Sequence, residues 1–508
     1  MLQLHEWQSE CLGIWAHNGY RGIVNAVTGS GKTVLALTAA RHLEMIADRE
    51  LHVKIVVPQN FLALQWKDEI KRQLGVKTTD IGIFGGKRKD LGRKYMIYII
   101  NSARYSMARH ILSDIKNGHA VFLIADECHH YGSAENNRIF DFYRVMEKNA
   151  PYYALGLSAT PEIVNYKAIT VPLGCEIYCY DLGKALRDRI ISRFILYSIG
   201  LEFTEDEHAE YEALSFSLVK CLKSLNDAYP EIKGMPSGIF FAYLQKLAQQ
   251  GCEEARIALI LMYRRRTLCH MAAGRPVCAV SIVKALPMKT RIILFCERIQ
   301  AAEQLYSTLL EQFPDQVGLY HSKMADNTRQ DMLERYKHGM IRLLICCKAL
   351  DEGLNIPSTD AGIIVSSSMS ARQRVQRLGR MLRHSKEIKR IYYLYIDESS
   401  EDRELVLGLR TLENNIPFIA LRYCKGSFVH NEYERLRGNV LEYVSGHRYD
   451  PKLLEALDQN IDRALLRGDF LLSETVCREN LQASGTTAER NYWTSVLYTI
   501  HARLGKLR

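Results

Sequence analysis

Apolar residues in the first 200 positions occur in short unbroken runs, separated by stretches with the spacing of amphipathic helices. Strands buried on both faces of a parallel sheet have this pattern, because neither face requires polar residues. Helices between such strands imply right-handed crossover connections and an α/β fold. The predicted strands of this segment are residues 22–27, 52–57, 96–100, 121–125 and 153–157.

A second series of apolar runs begins after residue 286 and predicts another α/β unit, with strands at 291–295, 317–320, 342–346, 361–365 and 391–395. The segment between the two series has helical spacing and begins with a capping box formed by Thr204 and Glu207. The chain after residue 428 also has helical spacing. The predicted domains are residues 1–200, a helical insert at 201–286, a second α/β unit at 287–428 and a helical domain at 429–508.

Composition narrows the class of protein only modestly. The 508 residues carry a net charge of +10, which is compatible with a polyanionic partner but does not require one. The 13 cysteines are scattered, and Cys175 and Cys179 have no second pair, so neither a zinc site nor a disulfide scaffold is favoured. No apolar stretch reaches the length of a membrane span, and we expect a soluble, cytoplasmic protein.

A glycine-rich loop at residues 26–33, Ala-Val-Thr-Gly-Ser-Gly-Lys-Thr, follows a predicted strand and precedes a predicted helix. Such a loop wraps phosphates with its backbone N–H groups, and the helix N-terminus adds a positive field. Lys32 would reach the β- and γ-phosphates, and Thr33 would hold magnesium. Ala26 stands where the strict pattern has glycine. The predicted ATP-binding residues of the loop are Thr28, Gly29, Ser30, Gly31, Lys32 and Thr33.

Two adjacent acids, Asp126 and Glu127, directly follow the predicted strand 121–125. The carboxyl edge of a doubly wound sheet is where ligands bind, so both side chains would face the phosphate loop. We expect Asp126 to hold magnesium and Glu127 to orient and deprotonate the attacking water. His129 could connect this site to the Ser-Ala-Thr segment that ends strand 153–157.

Gly-x-Gly-Lys-Thr followed by Asp-Glu-x-His resembles the superfamily-two helicases of the DExH kind, and further segments occur in the family's order. The resemblance implies that Gln8, in a Q-motif-like segment, reads the adenine edge. Val57-Pro58-Gln59 with Gln65-Trp66 resembles motif Ia, residues 101–104 occupy the place of motif Ib, and residues 158–161 resemble motif III. The nucleic-acid contacts implied by these segments are Pro58, Gln59, Arg104, Ser158 and Thr160.

The second α/β segment carries motifs of the same family. Residues 350–357 resemble motif V, in which Asp351 and Gly353 would contact the nucleotide, and residues 373–383 resemble motif VI. Arg380 and Arg383 are three residues apart and would share a helix face. A permanently charged guanidinium suits the charge that develops on a γ-phosphate, so both are expected to act as arginine fingers. Gln376 would contact the γ-phosphate or the attacking water.

The resemblance implies two tandem RecA-like lobes that close on ATP and Mg²⁺ and bind nucleic acid, mainly through phosphates. The segments at 173–178, 182–190 and 210–215 resemble the XPB-like and restriction-motor branch, which favours DNA over RNA and an ATP-dependent translocase or helicase. Two alternatives stay open: an RNA-directed DExH helicase or sensor, and an ATP-gated scaffold that works with a partner nuclease. A protein partner would bind through residues 430–508.

Overall fold

The computed structural model describes residues 4–86, 88–159, 165–235, 237–347, 359–367, 389–403, 406, 416–429, 431–446 and 451–507. Within these residues the chain forms two compact units, and the division lies between Arg193 and Phe194. Each unit is built around one largely parallel sheet with helices in its crossover connections. The predicted fold class, two tandem α/β lobes with additional helical regions, is confirmed.

The sheet of the first unit has the strand order β4-β3-β5-β2-β6-β7-β1-β8 in the part of the chain described. All neighbouring strands are parallel except β3 and β4, which form an antiparallel pair. The strands are β1 (Arg21–Ala26), β2 (Leu51–Val57), β3 (Ile81–Gly85), β4 (Arg88–Lys89), β5 (Tyr95–Ile99), β6 (Ala120–Ala125), β7 (Tyr152–Ser158) and β8 (Glu176–Tyr180).

All five strands predicted for this unit are present, because their unbroken apolar runs are buried on both sheet faces. Strands β3, β4 and β8 were not predicted. β3 contains two glycines, β4 has two residues, and β8 lies at the sheet edge with most of its residues partly exposed, so none has the continuous apolar pattern.

The second sheet has the order β11-β12-β10-β13-β14-β9-β15-β16 and is parallel except for the terminal pair β15 and β16. Its first strand in the chain, Phe194–Leu201, lies between β14 and β15 and spans the boundary predicted at residue 200. The strands are β9 (Phe194–Leu201), β10 (Ile292–Cys296), β11 (Val317–Tyr320), β12 (Leu343–Cys347), β13 (Ala361–Ile364), β14 (Lys389–Ile396), β15 (Phe418–Cys424) and β16 (Ser427–Val429).

The segment between β9 and β10 is helical, and the capping box is present. Thr204 Oγ1 accepts a hydrogen bond from Glu207 N at 3.3 Å, and Glu207 Oε2 accepts one from Thr204 N at 3.0 Å. Because this segment begins and ends with strands of one sheet, it is an insertion within the second unit. Its helices are Glu205–Ala228, Ser237–Gln249, Glu253–Met271 and Gly274–Ala285.

The C-terminal helices belong to the core of the second unit. Tyr197 Oη on β9 donates to the carbonyl of Leu465 at 2.8 Å, and Tyr392 Oη on β14 donates to the carbonyl of Leu466. Leu465 and Leu466 lie in the same hydrophobic cluster as β9, β10 and β14. These helices are Asn431–Ser445, Pro451–Arg467, Glu474–Ala483 and Thr487–Arg503.

The remaining helices flank the two sheets. In the first unit these helices are Glu6–His17, Lys32–Ile46, Asn60–Leu74, Ile100–Lys116, Ala134–Asn137, Phe142–Val145, Tyr166–Leu173 and Leu182–Arg187, and in the second unit Ile299–Gln312 and Asp326–Lys337. Among the described helices, none combines the length and apolar character that crossing a lipid bilayer requires.

Candidate active site

The glycine-rich loop connects β1 to the helix Lys32–Ile46 in the first unit. Gly29 and Gly31 have φ angles of +87° and +96°, which other residues rarely adopt. Ser30 Oγ donates to the carbonyl of Val27 at 2.7 Å and closes the turn. Gly31 precedes the helix without a side chain that could cap it. The first N–H groups of a 15-residue helix are therefore placed to bind an anion at this loop.

Lys32 lies at the mouth of the loop, where its Nζ donates to the carbonyl of Ala26 at 3.0 Å. Thr28 Oγ1 is buried and has no hydrogen-bond partner among the described residues. A buried hydroxyl without a partner is costly, unless a ligand supplies the missing hydrogen bond. Thr28 and Thr33 both line the cavity in front of the loop, as the ATP assignment requires.

Asp126 and Glu127 follow β6 and lie at the carboxyl edge of the sheet, where both line the same cavity. Asp126 Oδ1 accepts a hydrogen bond from Glu127 N at 3.0 Å, and its Oδ2 accepts one from the Trp66 indole Nε1 at 2.8 Å. Burial, together with the adjacent charge of Glu127, raises the pKa of Asp126 to about 6. A divalent cation would relieve this unfavourable concentration of negative charge.

His129 joins the acidic pair to the end of β7. Its Nδ1 lies 3.0 Å from Ser158 Oγ and 3.5 Å from Glu127 Oε2. Glu127 has a φ angle of +48°, a left-handed conformation that is uncommon for a residue with a side chain. The structure therefore brings together the three residues that the sequence connected, and the Glu127 carboxylate is held next to a polar link between two strand ends.

Two aromatic residues support Asp126, and sequence reasoning did not assign either to this site. Tyr131 Oη donates to the carbonyl of Asp126 at 2.7 Å and to that of Val56 at 3.1 Å, which fixes the end of β6 against β2. Trp66 was assigned to the segment that resembles motif Ia, but its indole is buried and donates a hydrogen bond to the Asp126 carboxylate. Neither lies within an apolar run, and nothing in the neighbouring residues shows that its polar group reaches Asp126, which is why both were missed.

Gln8 contacts the phosphate loop. Its Nε2 donates to the carbonyl of Gly31 at 3.0 Å, and its Oε1 accepts from the His5 N–H at 2.8 Å. A Cβ atom at Gly31 would lie 2.6 Å from Gln8 Nε2, so the Gln8 amide packs directly against the loop. The proposed contact between Gln8 and the adenine edge stays a prediction.

The phosphate loop and the acids face one cavity of about 630 Å³. This volume lies in the range of ligand sites, roughly 300–1,000 Å³. A loop of N–H donors, a lysine, an unpartnered hydroxyl and two adjacent acids match a nucleoside triphosphate with a divalent cation. Outside the loop and the acids, the walls include His5, Leu62, Gln65, Trp66, Glu69 and Arg189.

The expected nucleic-acid contacts also lie near strand ends. Pro58 and Gln59 are half-buried between β2 and the helix Asn60–Leu74. Arg104 forms an ion pair with Glu135 at 3.5 Å. Ser158 is fully buried at the end of β7, where its hydroxyl contacts His129. The other predicted site residues, Thr160, Asp351, Gly353, Gln376, Arg380 and Arg383, lie outside the described residues.

Known families match both halves of the chain. Residues 1–163 match the family described as type III restriction enzyme, res subunit, and residues 278–385 match the helicase conserved C-terminal domain. The two matched regions contain the phosphate loop and acid pair in the first case and the motif VI segment in the second. The chain belongs to the superfamily-two helicases. Helicases of this superfamily are ATP-hydrolysing enzymes.

Similar proteins extend this superfamily-two helicase assignment beyond the motifs. DNA 3'-5' translocase XPB2 of Sulfurisphaera tokodaii is 26% identical over 75% of this chain and 79% of its own length. Putative DNA 3'-5' helicase Rad25 of Haloarcula marismortui is 23% identical over 79% of this chain, but the match spans only about half, 54%, of that relative.

Solved structures confirm the helicase fold. Dbp5 of S. cerevisiae bound to RNA and ADP BeF3 has a TM-score of 0.51 at 12% identity, covering 82% of this chain and 89% of its own. The DUF1998 helicase MrfA bound to DNA and AMPPNP has a TM-score of 0.53 at 14% identity, covering 83% of this chain and 52% of its own. At this identity the likeness concerns the tandem RecA-like fold alone.

Proposed function

We propose that this helicase is an ATP-dependent translocase or remodelling helicase that acts on DNA. The observation that carries the proposal is the single cavity shared by the phosphate loop, Lys32, Asp126 and Glu127. The similarity to relatives named as DNA translocase and DNA helicases, over three quarters of this chain, supports DNA rather than RNA as the substrate.

The chemistry divides among the residues of the first unit. The loop N–H groups and Lys32 would bind the phosphates, and Thr33 and Asp126 would hold magnesium. Magnesium would neutralise the charge of the triphosphate. The Glu127 carboxylate would orient the attacking water and accept its proton. Its contact with His129, and through it with Ser158, would connect hydrolysis to motif III.

The second half of the chain contributes residues that stay predictions. Arg380 and Arg383 are expected to stabilise the charge that develops on the γ-phosphate, and Gln376 to contact the γ-phosphate or the water. Asp351 and Gly353 are expected to bind the nucleotide. A cytoplasmic location and a protein partner at residues 430–508 also stay predictions.

Translocation is a better expectation than strong unwinding. The link from residue 358 to residue 370, between the motif V and motif VI segments, contains β13 and leaves no length for a long separating hairpin. A wedge that separates strands would have to come from the insert at 201–286. Contacts with nucleic acid would be mainly to phosphates, so binding should weaken steeply with salt and be independent of sequence.

ATPase rates with single-stranded DNA, duplex DNA and RNA test the substrate, and RNA-only stimulation would contradict the proposal. Lys32→Ala and Glu127→Gln should each lower turnover by about 100-fold or more. Lys116→Ala, at an exposed lysine on the last turn of the helix Ile100–Lys116, is the matched control. Wild-type hydrolysis by Glu127→Gln would show that the catalytic assignment is wrong.

Displacement of a third strand from a triplex separates movement from unwinding. We expect the full chain with ATP to displace the third strand and to open long blunt duplexes poorly. Efficient opening of long blunt duplexes by the chain without the 201–286 insert would contradict the expectation of a translocase.

A further inference from the structure

The buried indole of Trp66 forms a direct link between a helix and the acid pair. Trp66 lies on the helix Asn60–Leu74, is 2% exposed, and lines the cavity that Asp126 also lines. Its Nε1–H donates to Asp126 Oδ2 at 2.8 Å, although the two residues are 60 positions apart in the chain. The contact therefore depends on the folded sheet and not on local sequence.

Together with a backbone donor, this contact fixes the Asp126 carboxylate. Glu127 N–H holds Oδ1 at 3.0 Å while the indole holds Oδ2. The terminal torsion of an aspartate is otherwise broad, so one donor alone would leave the plane of the carboxylate free to turn. With one donor on each oxygen, the plane of the Asp126 carboxylate is fixed, and its free lone pairs therefore have fixed directions.

Tryptophan suits this position chemically. An indole N–H is a donor only, so it cannot compete with Asp126 for a cation. It carries no charge, so it neither repels a divalent cation nor requires a counterion when buried. Its rings pack in the apolar interior while the N–H faces the polar cavity.

We propose that Trp66 is a positioning residue that orients the Asp126 carboxylate to hold magnesium. The inference rests on the proposed ATPase function, and it adds a residue that the helicase motifs place elsewhere. The helix that carries Trp66 begins at Asn60, directly after Pro58 and Gln59, which are predicted to contact nucleic acid. At 1.5 Å per residue, about 9 Å of one helix separates that segment from the support of the magnesium carboxylate.

The variant Trp66→Phe keeps an aromatic ring and removes the donor. Trp15→Phe is the matched control, because Trp15 lies in the same unit, is also buried, and donates its indole N–H to the carbonyl of Ala154 at 2.9 Å. Both variants lose one buried indole hydrogen bond and the same volume, but Trp15 does not line the cavity.

The measured quantity is the magnesium concentration that gives half-maximal ATPase rate and half-maximal binding of a fluorescent ADP. Trp66→Phe should raise both concentrations about 10-fold to 100-fold, the usual effect of losing a group that orients a metal ligand. Trp15→Phe should change them less than about 2-fold. Wild-type magnesium dependence in Trp66→Phe, or an equal shift in Trp15→Phe, would overturn the proposal.

A second measurement does not depend on the folding of Trp66→Phe or on catalysis. The chain has four tryptophans, so a protein labelled with ¹⁵N at the indoles gives four indole signals. Asp126→Asn should shift one of them, and magnesium with ADP should shift the same signal in the wild type. If none of the four indole signals shifts, the inference is overturned. Absence of ATPase activity from the wild type, with the signal responding, would instead count against the proposed function alone.

Discussion

Arg275→Ala is expected to lower the free energy of unfolding of the second unit by about 3–5 kcal/mol, the cost of breaking a buried ion pair from one side. Arg275 is 1% exposed and is the second residue of the last helix of the insert. Its Nε donates to the carbonyl of Cys269 at 2.6 Å, and its Nη1 to the carbonyl of Leu394 at 2.9 Å and to that of Val365. Its Nη2 donates to Asp402 Oδ2.

The carboxylate of Asp402, left without its partner, determines how much unfolding free energy is lost and how that loss depends on pH. Asp402 is buried, accepts the Ile396 N–H at 2.8 Å, and has a pKa raised by burial that the charge of Arg275 partly offsets. Without Arg275 that pKa rises further. A raised folded-state pKa favours folding at pH values below the unfolded pKa, about 4, and this contribution is lost as pH rises through the folded value. The deficit of Arg275→Ala should therefore grow as pH rises from the folded-state pKa of Asp402 in the wild type towards its higher folded-state pKa in the variant.

The assay must report on the second unit separately, because a chain with two units need not unfold in one step. Hydrogen–deuterium exchange of peptides from β14 under increasing urea provides that selectivity. The control Arg256→Ala removes an exposed arginine that pairs with Glu253 at 3.4 Å, and we expect little change. Adding Asp402→Asn to Arg275→Ala should remove most of the pH dependence. A loss below about 1 kcal/mol, or one that is constant between about pH 4 and 8, would refute the reasoning.

Three further outcomes are expected. Arg380→Ala should lower kcat by about 1,000-fold or more while nucleotide affinity changes little. Single-turnover hydrolysis and nucleotide titration measure the two quantities, and an unchanged hydrolysis rate would contradict the assignment. His129→Ala should reduce the DNA-stimulated ATPase rate about 5-fold more than the unstimulated rate, since it interrupts the contact between Glu127 and Ser158; parallel losses would contradict this. Removal of residues 431–508 should make the second unit sensitive to limited proteolysis, because Tyr197 and Tyr392 would lose buried partners, whereas wild-type resistance would mean that the region is separable.

The features that the sequence predicted correctly are those fixed by neighbouring residues. The phosphate loop needs two glycines with positive φ, a lysine and a following helix, and all of these lie within residues 26–46. The buried strands are equally local, because an unbroken apolar run already indicates burial on both faces. Pairing is not local: the strand Phe194–Leu201 was not predicted, and nothing in its sequence says which sheet it joins. Its position between β14 and β15 places the insert within the second unit.

The donors around Asp126 show a second limit of motif-based assignment. Motif Ia groups Trp66 with Gln59 because they are close in the chain, but seven residues along a helix of 3.6 residues per turn is almost two full turns. The helix can therefore hold its first residues at the strand edge while its second turn packs into the interior. Trp66 does this, and its indole reaches Asp126. Displacement of this one helix would move both its first residues and the Trp66 indole. A nucleic-acid contact at the helix start could therefore affect the Asp126 carboxylate directly, without further residues in between.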